Sequence, residues 1–187
     1  QISTNKIIFI DGSSGNISTL ALEKDAIELT SQRTSGLNGP LFKIGEYAKL
    51  TTGECYNESD VLNNGARPLV GGGVLFSIPQ TNSAINIITS ESATSATSSI
   101  EIYDTKFVKD GSYGDLRPRN IPFRMWGSKI QGVEFWDAFD LDIRDCYFSN
   151  SPWVFSNCTG VLKNNRFDNI GTSSSSGGIF WISIPGT

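Results

Sequence analysis

Residues 139–167 read FDLDIRDCYFSNSPWVFSNCTGVLKNNRF and contain two apolar runs that end alike. Ile143-Arg144-Asp145-Cys146-Tyr147-Phe148 and Leu162-Lys163-Asn164-Asn165-Arg166-Phe167 share an aliphatic residue, Asp or Asn two places on, and Phe three places after that. The fold turns on whether this ending marks a structural period. With Gly also admitted at the middle position, the pattern recurs at Ile102-Asp104-Phe107 and Ile130-Gly132-Phe135, with a degraded form at Thr51-Gly53-Tyr56. The full copies start 28, 13 and 19 residues apart, so no regular leucine-rich or hexapeptide period fits.

The surrounding sequence is short alternating runs rich in β-branched and aromatic residues: Ile8–Ile10, Leu41–Ile44, Val74–Ile78, Ile85–Ile88, Ile100–Ile102 and Phe139–Ile143. Turn residues such as Asp11-Gly12 and Gly45 close several of them. Leu20 to Leu29 reads either as a helix or as two strands, Leu20/Leu22 and Ile27/Leu29, about a Glu-Lys-Asp turn; strands fit the alternation around it. The expectation is an all-β chain, one domain over residues 1–187, with loop insertions at 57–73, 90–99, 110–122 and 172–178.

A right-handed parallel β-helix accommodates unequal spacing, because only the short strands must stay in register and the loops between them point outward. Gly, Asn and Asp tolerate the left-handed backbone conformation that such corners need. On this reading the spacings of 19 and 28 are whole coils, and 13 is a partial coil with the motif on another face. Phe148 then lies above Phe167 inside, with Asp145 and Asn164 stacked at a corner. The rung phrases Ile100–Phe107 and Gly160–Asn169 resemble those of pectate-lyase-like parallel β-helix proteins. With neutral polar loops and an acidic pI, the chain is similar within that group to bacteriophage tailspikes and related receptor-binding appendages. The resemblance implies a virion or extracellular location, a homotrimer and bacterial surface polysaccharide as partner, and specifies no reaction. The alternative is an antiparallel sandwich or jelly roll, which predicts more two-residue hairpins than the sequence contains.

Composition narrows the chemistry. Charged residues are 18% of the chain, below the ~25% usual in soluble domains, and the net charge of −4 lacks the basic footprint of nucleic-acid binding. No apolar stretch reaches the ~20 residues of a membrane helix. The start at Gln1 and the apolar run Gly178–Pro185 suggest a piece of something longer. The three cysteines, Cys55, Cys146 and Cys158, allow a Cys146–Cys158 bridge, but buried free thiols are the preferred reading. Asn16, Asn57 and Asn157 fit the glycosylation acceptor pattern, which an Asn- and Ser-rich chain produces by chance.

The absence of histidine excludes Ser-His-Asp and Cys-His catalysis and any His-containing zinc site, and neither a cofactor nor a metal site is expected. Carboxylates concentrate in Glu134, Asp137, Asp140, Asp142 and Asp145. If Phe139, Leu141 and Ile143 face the core, alternation turns Asp140, Asp142 and Arg144 outward. Two residues along a strand is ~6.6–6.8 Å, within reach of the carboxyl separations glycosidases use. A solvated ion-pair strip is the first reading of that row, and a catalytic pair, Asp140 and Asp142, the second. Asp145 reads as a turn former. Trp136, beside Asp137, and Trp126 are candidate stacking surfaces for a sugar ring, with Glu134, Asp137 and Arg144 as polar partners. Pectate lyases bind calcium through acidic clusters and use an arginine base, but no matching motif occurs. The expectation is a receptor-binding module for surface polysaccharide; a polysaccharide hydrolase or lyase and a purely structural virion or adhesin segment are the alternatives.

Overall fold

The computed structural model describes residues 2–3, 7–22, 28–30, 40–53, 74–81, 85–90, 98–111, 114–151, 153–171 and 178–181. These contain strands and no helix, and every strand pairs with its neighbours in parallel. The first sheet runs β1 (Ile2–Ser3), β4 (Glu28–Thr30), β7 (Leu75–Thr81), β10 (Lys106–Gly111), β13 (Lys129–Gln131), β16 (Tyr147–Ser149) and β19 (Arg166–Asp168). The second runs β2 (Ile8–Ile10), β5 (Phe42–Ile44), β8 (Ile85–Ser90), β11 (Gly114–Arg117), β14 (Val133–Trp136), β17 (Trp153–Ser156) and β20 (Gly178–Trp181). The third holds β3 (Ser18–Leu22), β6 (Ala48–Thr52), β9 (Ser99–Tyr103), β12 (Phe123–Trp126), β15 (Leu141–Arg144) and β18 (Gly160–Lys163). Each strand pairs with the one three places on, so the chain winds through the three sheets in turn as a right-handed parallel β-helix.

Register aligns like residues into columns along the axis. In the first sheet Phe76, Phe107, Ile130, Phe148 and Phe167 stand opposite one another in succession and face inward. Phe76 and Phe107 stack at 4.6 Å between ring centroids, and Phe148 and Phe167 at 5.1 Å with planes 13° apart. Full burial of one such side chain is worth about 1.5–3 kcal/mol, and an aromatic pair adds about 0.5–1.5 kcal/mol. The third sheet supplies the facing column Ile102, Met125, Ile143 and Leu162.

These columns explain the irregular repeat. Ile102, Ile143 and Leu162 lie in the third sheet and lead through a corner to Phe107, Phe148 and Phe167 in the first. Ile130 and Phe135 instead flank the next corner, between the first and second sheets, so the spacing of 28 before that copy is not the whole coil expected of it, and both it and the spacing of 13 run between different faces. Met125-Gly127-Ile130 is a further coil of the first kind, hidden from the pattern because Ile stands where the others have Phe. The degraded copy at Thr51 is one residue out of register, since Thr52 is the residue opposite Ile102 and Thr51 faces outward beside Glu101. Its Tyr56 lies outside the described residues.

The corners carry the backbone strain. Asp104 (φ 39°), Gly127 (φ 60°), Asp145 (φ 52°) and Asn164 (φ 54°) occupy equivalent places between the third and first sheets. Gly132, Asn150 and Asn169 do the same at the second corner, and Asp137 and Asn157 at the third. Behind the first corner, small polar side chains bind the exposed backbone. Thr52 and Thr105 hydroxyls meet at 2.7 Å, and Ser128 Oγ accepts from Thr105 N at 3.1 Å and donates to Trp126 O at 3.2 Å. Cys146 Sγ donates to Arg144 O at 3.2 Å, and Asn165 Oδ1 accepts from Cys146 N at 2.9 Å.

Leu20–Leu29 contributes two strands, β3 and β4, and Cys146 and Cys158 are free thiols, the first buried and the second partly so. Residues 110–122 are not an irregular insertion, because Gly114–Arg117 forms β11 and pairs with both β8 and β14. Its turn-like Gly114 faces inward, where an added Cβ would meet Ile87 Cδ1 at 2.8 Å. Of the loops expected at 57–73, 90–99 and 172–178, residues 57–73, 91–97 and 172–177 lie outside the described residues with Cys55, while Ser90, Ser99 and Gly178 belong to β8, β9 and β20.

Two outcomes follow from the corners. At Gly132 (φ 65°) an added Cβ would run into the Lys109 carbonyl, so Gly132→Ala is expected to lower unfolding free energy by about 1–3 kcal/mol. Asp145→Asn keeps a side chain that tolerates the corner and should change stability by no more than about 0.5 kcal/mol, with both variants compared to wild type by urea titration. Burial pushes the Cys146 thiol up to about 12, so it stays protonated and unreactive in the folded protein. Iodoacetamide at pH 8 should label Cys146 only after denaturation. The stability this thiol contributes is complete below its unfolded pKa of about 8.5 and is lost as pH rises toward 12.

Candidate functional site

The outer face of the third sheet is built from two register columns. Glu101, Arg124 and Asp142 stand opposite one another on β9, β12 and β15, and Tyr103, Trp126 and Arg144 form the column beside them. Asp142 Oδ1 accepts from Arg144 Nε at 2.6 Å, and its Oδ2 lies 3.8 Å from Arg124 Nε. Both guanidinium groups lie over the Trp126 indole, at 4.8 and 5.1 Å from the ring centroid, and Tyr103 meets the same ring edge-on at 5.6 Å. Glu101 accepts from Tyr103 Oη at 3.3 Å and pairs with Lys49 Nζ at 2.7 Å. Burial opposes the Arg124 charge, but Tyr103, Glu101 and Asp142 outweigh it and hold the guanidinium above its ordinary pKa.

Alongside this network runs an open groove of about 250 Å³ lined by Ser99, Glu101, Pro122, Arg124, Asp140 and Asp142 among others. The expected ion-pair strip is present in Asp142 and Arg144, but the predicted alternation fails at its first residue. Strand β15 begins at Leu141, so Asp140 lies in the bend before it and Phe139 is 44% exposed instead of buried. A larger cavity of about 460 Å³ is lined by Leu141, Phe155, Cys158 and Leu162. Its walls are mainly core residues, with little to orient a polar ligand.

Two other candidates lie on the second sheet. Glu134 Oε2 accepts from Trp136 Nε1 at 2.9 Å, and Arg117 stacks over Trp136 at 5.2 Å while its Nη2 meets Asp115 Oδ2 at 3.1 Å. Glu134 stands opposite Asp115 on the neighbouring strand, and both are closed off, at 0% and 3% exposed. Burial pushes the Asp115 carboxyl up, against the pull of Arg117. Asp137 takes the corner after β14 (φ 51°) and accepts from Asn157 Nδ2 at 2.8 Å, a turn role like that of Asp145.

The structure therefore gathers Trp126, Asp140, Asp142 and Arg144 on one face, places Glu134 and Trp136 on another, and leaves Asp137 at the corner between them. Trp126, expected as an exposed stacking surface, is 1% exposed beneath its two arginines, and Glu134 is sealed. Glu101 and Arg124, absent from the sequence expectation, complete the groove. Their signal was the alternation in Ile100-Glu101-Ile102 and Phe123-Arg124-Met125, which turns both outward once the Met125 coil is aligned with its neighbours. Among the described residues no group of three or more His, Cys, Asp or Glu side chains could hold a metal ion. No family model, no curated protein and no solved structure matches the chain.

Because the folded pKa of Asp115 is raised, its contribution to stability is full below the ordinary carboxylate range and lost as pH rises through the folded value. Asp115→Asn should flatten that part of the pH–stability profile. An unchanged slope between wild type and variant in paired denaturation series would show that Asp115 does not titrate there.

Proposed function

We propose that this chain is a glycan-binding β-helix that recognises bacterial surface polysaccharide, as an extracellular or virion-borne receptor-binding module. The observation that carries the reading is the third-sheet groove, where carboxylates, a guanidinium and a hydroxyl line an open channel crossing three successive strands. Its floor is fixed before any ligand arrives, since Asp142 binds two arginines and those arginines clamp Trp126. Preformed polar walls of this kind suit hydroxyl-rich ligands, whose groups donate to carboxylates and accept from arginine. The exposed Pro122 adds an apolar surface for a sugar face.

The same groove bears on the enzyme alternative. Asp140 and Asp142 share it, but Asp142 is held between guanidinium groups, accepting from Arg144 Nε and lying against Arg124. The test is calorimetric binding to a panel of capsular and O-antigen polysaccharides, with assay for released oligosaccharide. Binding without products is expected, weakened about tenfold or more by Arg124→Ala and by Asp140→Asn through loss of charge-assisted hydrogen bonds. Release of oligosaccharide abolished by Asp140→Asn would replace this reading with hydrolysis or lysis, and binding to no glycan would leave a structural role. The homotrimer implied by the tailspike resemblance belongs to the same proposal and is read by sedimentation equilibrium.

A further inference from the structure

We infer that the third-sheet groove selects neutral glycans and excludes those carrying uronic or other sugar acids; this inference rests on the glycan-binding reading above. Glu101, Asp140 and Asp142 line the groove against one cation, Arg124. That cation is already engaged, with Asp142 Oδ2 3.8 Å from its Nε. Lys49 is held on Glu101 at 2.7 Å, and Arg144 is bound to Asp142 at 2.6 Å and stacked on Trp126. None of these cations is left without a carboxylate, whereas the Asp140 side-chain carboxylate has no hydrogen-bond or ion-pair partner among the described residues.

A sugar carboxylate entering this groove meets three carboxylates on its lining, Asp140 among them without a counter-ion, and must displace an existing ion pair to reach a guanidinium. Like charges brought together at a partly dehydrated surface repel strongly. A neutral sugar meets the opposite situation. Glu101, Arg124 and Asp142 lie one strand apart, about 4.8 Å, and present acceptor, donor and acceptor in succession along the helix axis. Hydroxyl groups satisfy both kinds, so a neutral polymer laid along the axis pairs with all three without disturbing the floor.

The test uses capsular polysaccharides with one uronic acid per repeat, each offered in native form and after reduction of its carboxyls to primary alcohols, beside neutral O-antigen polysaccharides. Calorimetry should show the reduced polymers binding about tenfold or more tighter than their acidic parents. Asp140→Lys, at an exposed bend outside the strands, should narrow that gap by admitting the acidic forms, with near-ultraviolet circular dichroism confirming the fold. Native acidic polymers binding as tightly as their reduced forms would overturn the selectivity while leaving glycan binding intact. Failure of every polymer, neutral or acidic, to bind would overturn glycan binding itself and this inference with it.

Discussion

Parallel main-chain hydrogen bonding between successive coils is the constraint on which the rest of this structure depends. Each strand must sit about 4.8 Å from the next and in register with it, so every residue acquires a counterpart one coil away. Inside, that rule turns scattered Phe, Ile and Met residues into continuous columns. Outside, it stacks charges and aromatic rings, which is how Glu101, Arg124 and Asp142 come to stand in a row. At the described corners it places left-handed residues, mostly Asp, Asn and Gly, which meet that demand at modest cost, with Tyr47 and Arg119 standing in at the corner before the third sheet.

This dependence explains what the sequence made readable. The stacking of Phe148 on Phe167 and of Asp145 against Asn164 follows from two six-residue phrases, because inward and corner positions accept few residue types. The Met125 coil lacks the phrase for the same physical reason: Ile130 fills the Phe position adequately, so the column is kept without the Phe that marks its neighbours. Gly114-Asp-Leu-Arg117 looked like a loop because glycine normally breaks strands, whereas here the missing side chain makes room for Ile87.

The functional surface was less legible, because alternation gives the direction of a side chain and not its depth. Trp126 and Glu134 do point outward, yet both are buried under neighbours whose positions depend on coil register. Arg124 covers the indole from two places earlier on the same strand, and Arg144 covers it from the next coil, where register sets it opposite Trp126, a contact that no local window reveals. Phe139 departs in the other direction. It precedes the strand, so the alternation assumed for it does not yet apply, and the ring faces solvent beside Asp140.

The exclusive use of parallel pairing also bears on how the chain reaches this state. Among the described strands none is joined to its partner by a hairpin, so a coil gains its first ladder only after the whole intervening circuit has been closed. Phe148 cannot meet Phe167 until the chain has passed through two further sheets, and the entropy of that closure falls due before any contact repays it. Formation of the first pair of coils is therefore the slow event, and later coils add to an existing template. Unfolding faces the reverse of the same barrier, so persistence of the assembled helix is a matter of rate as much as of equilibrium.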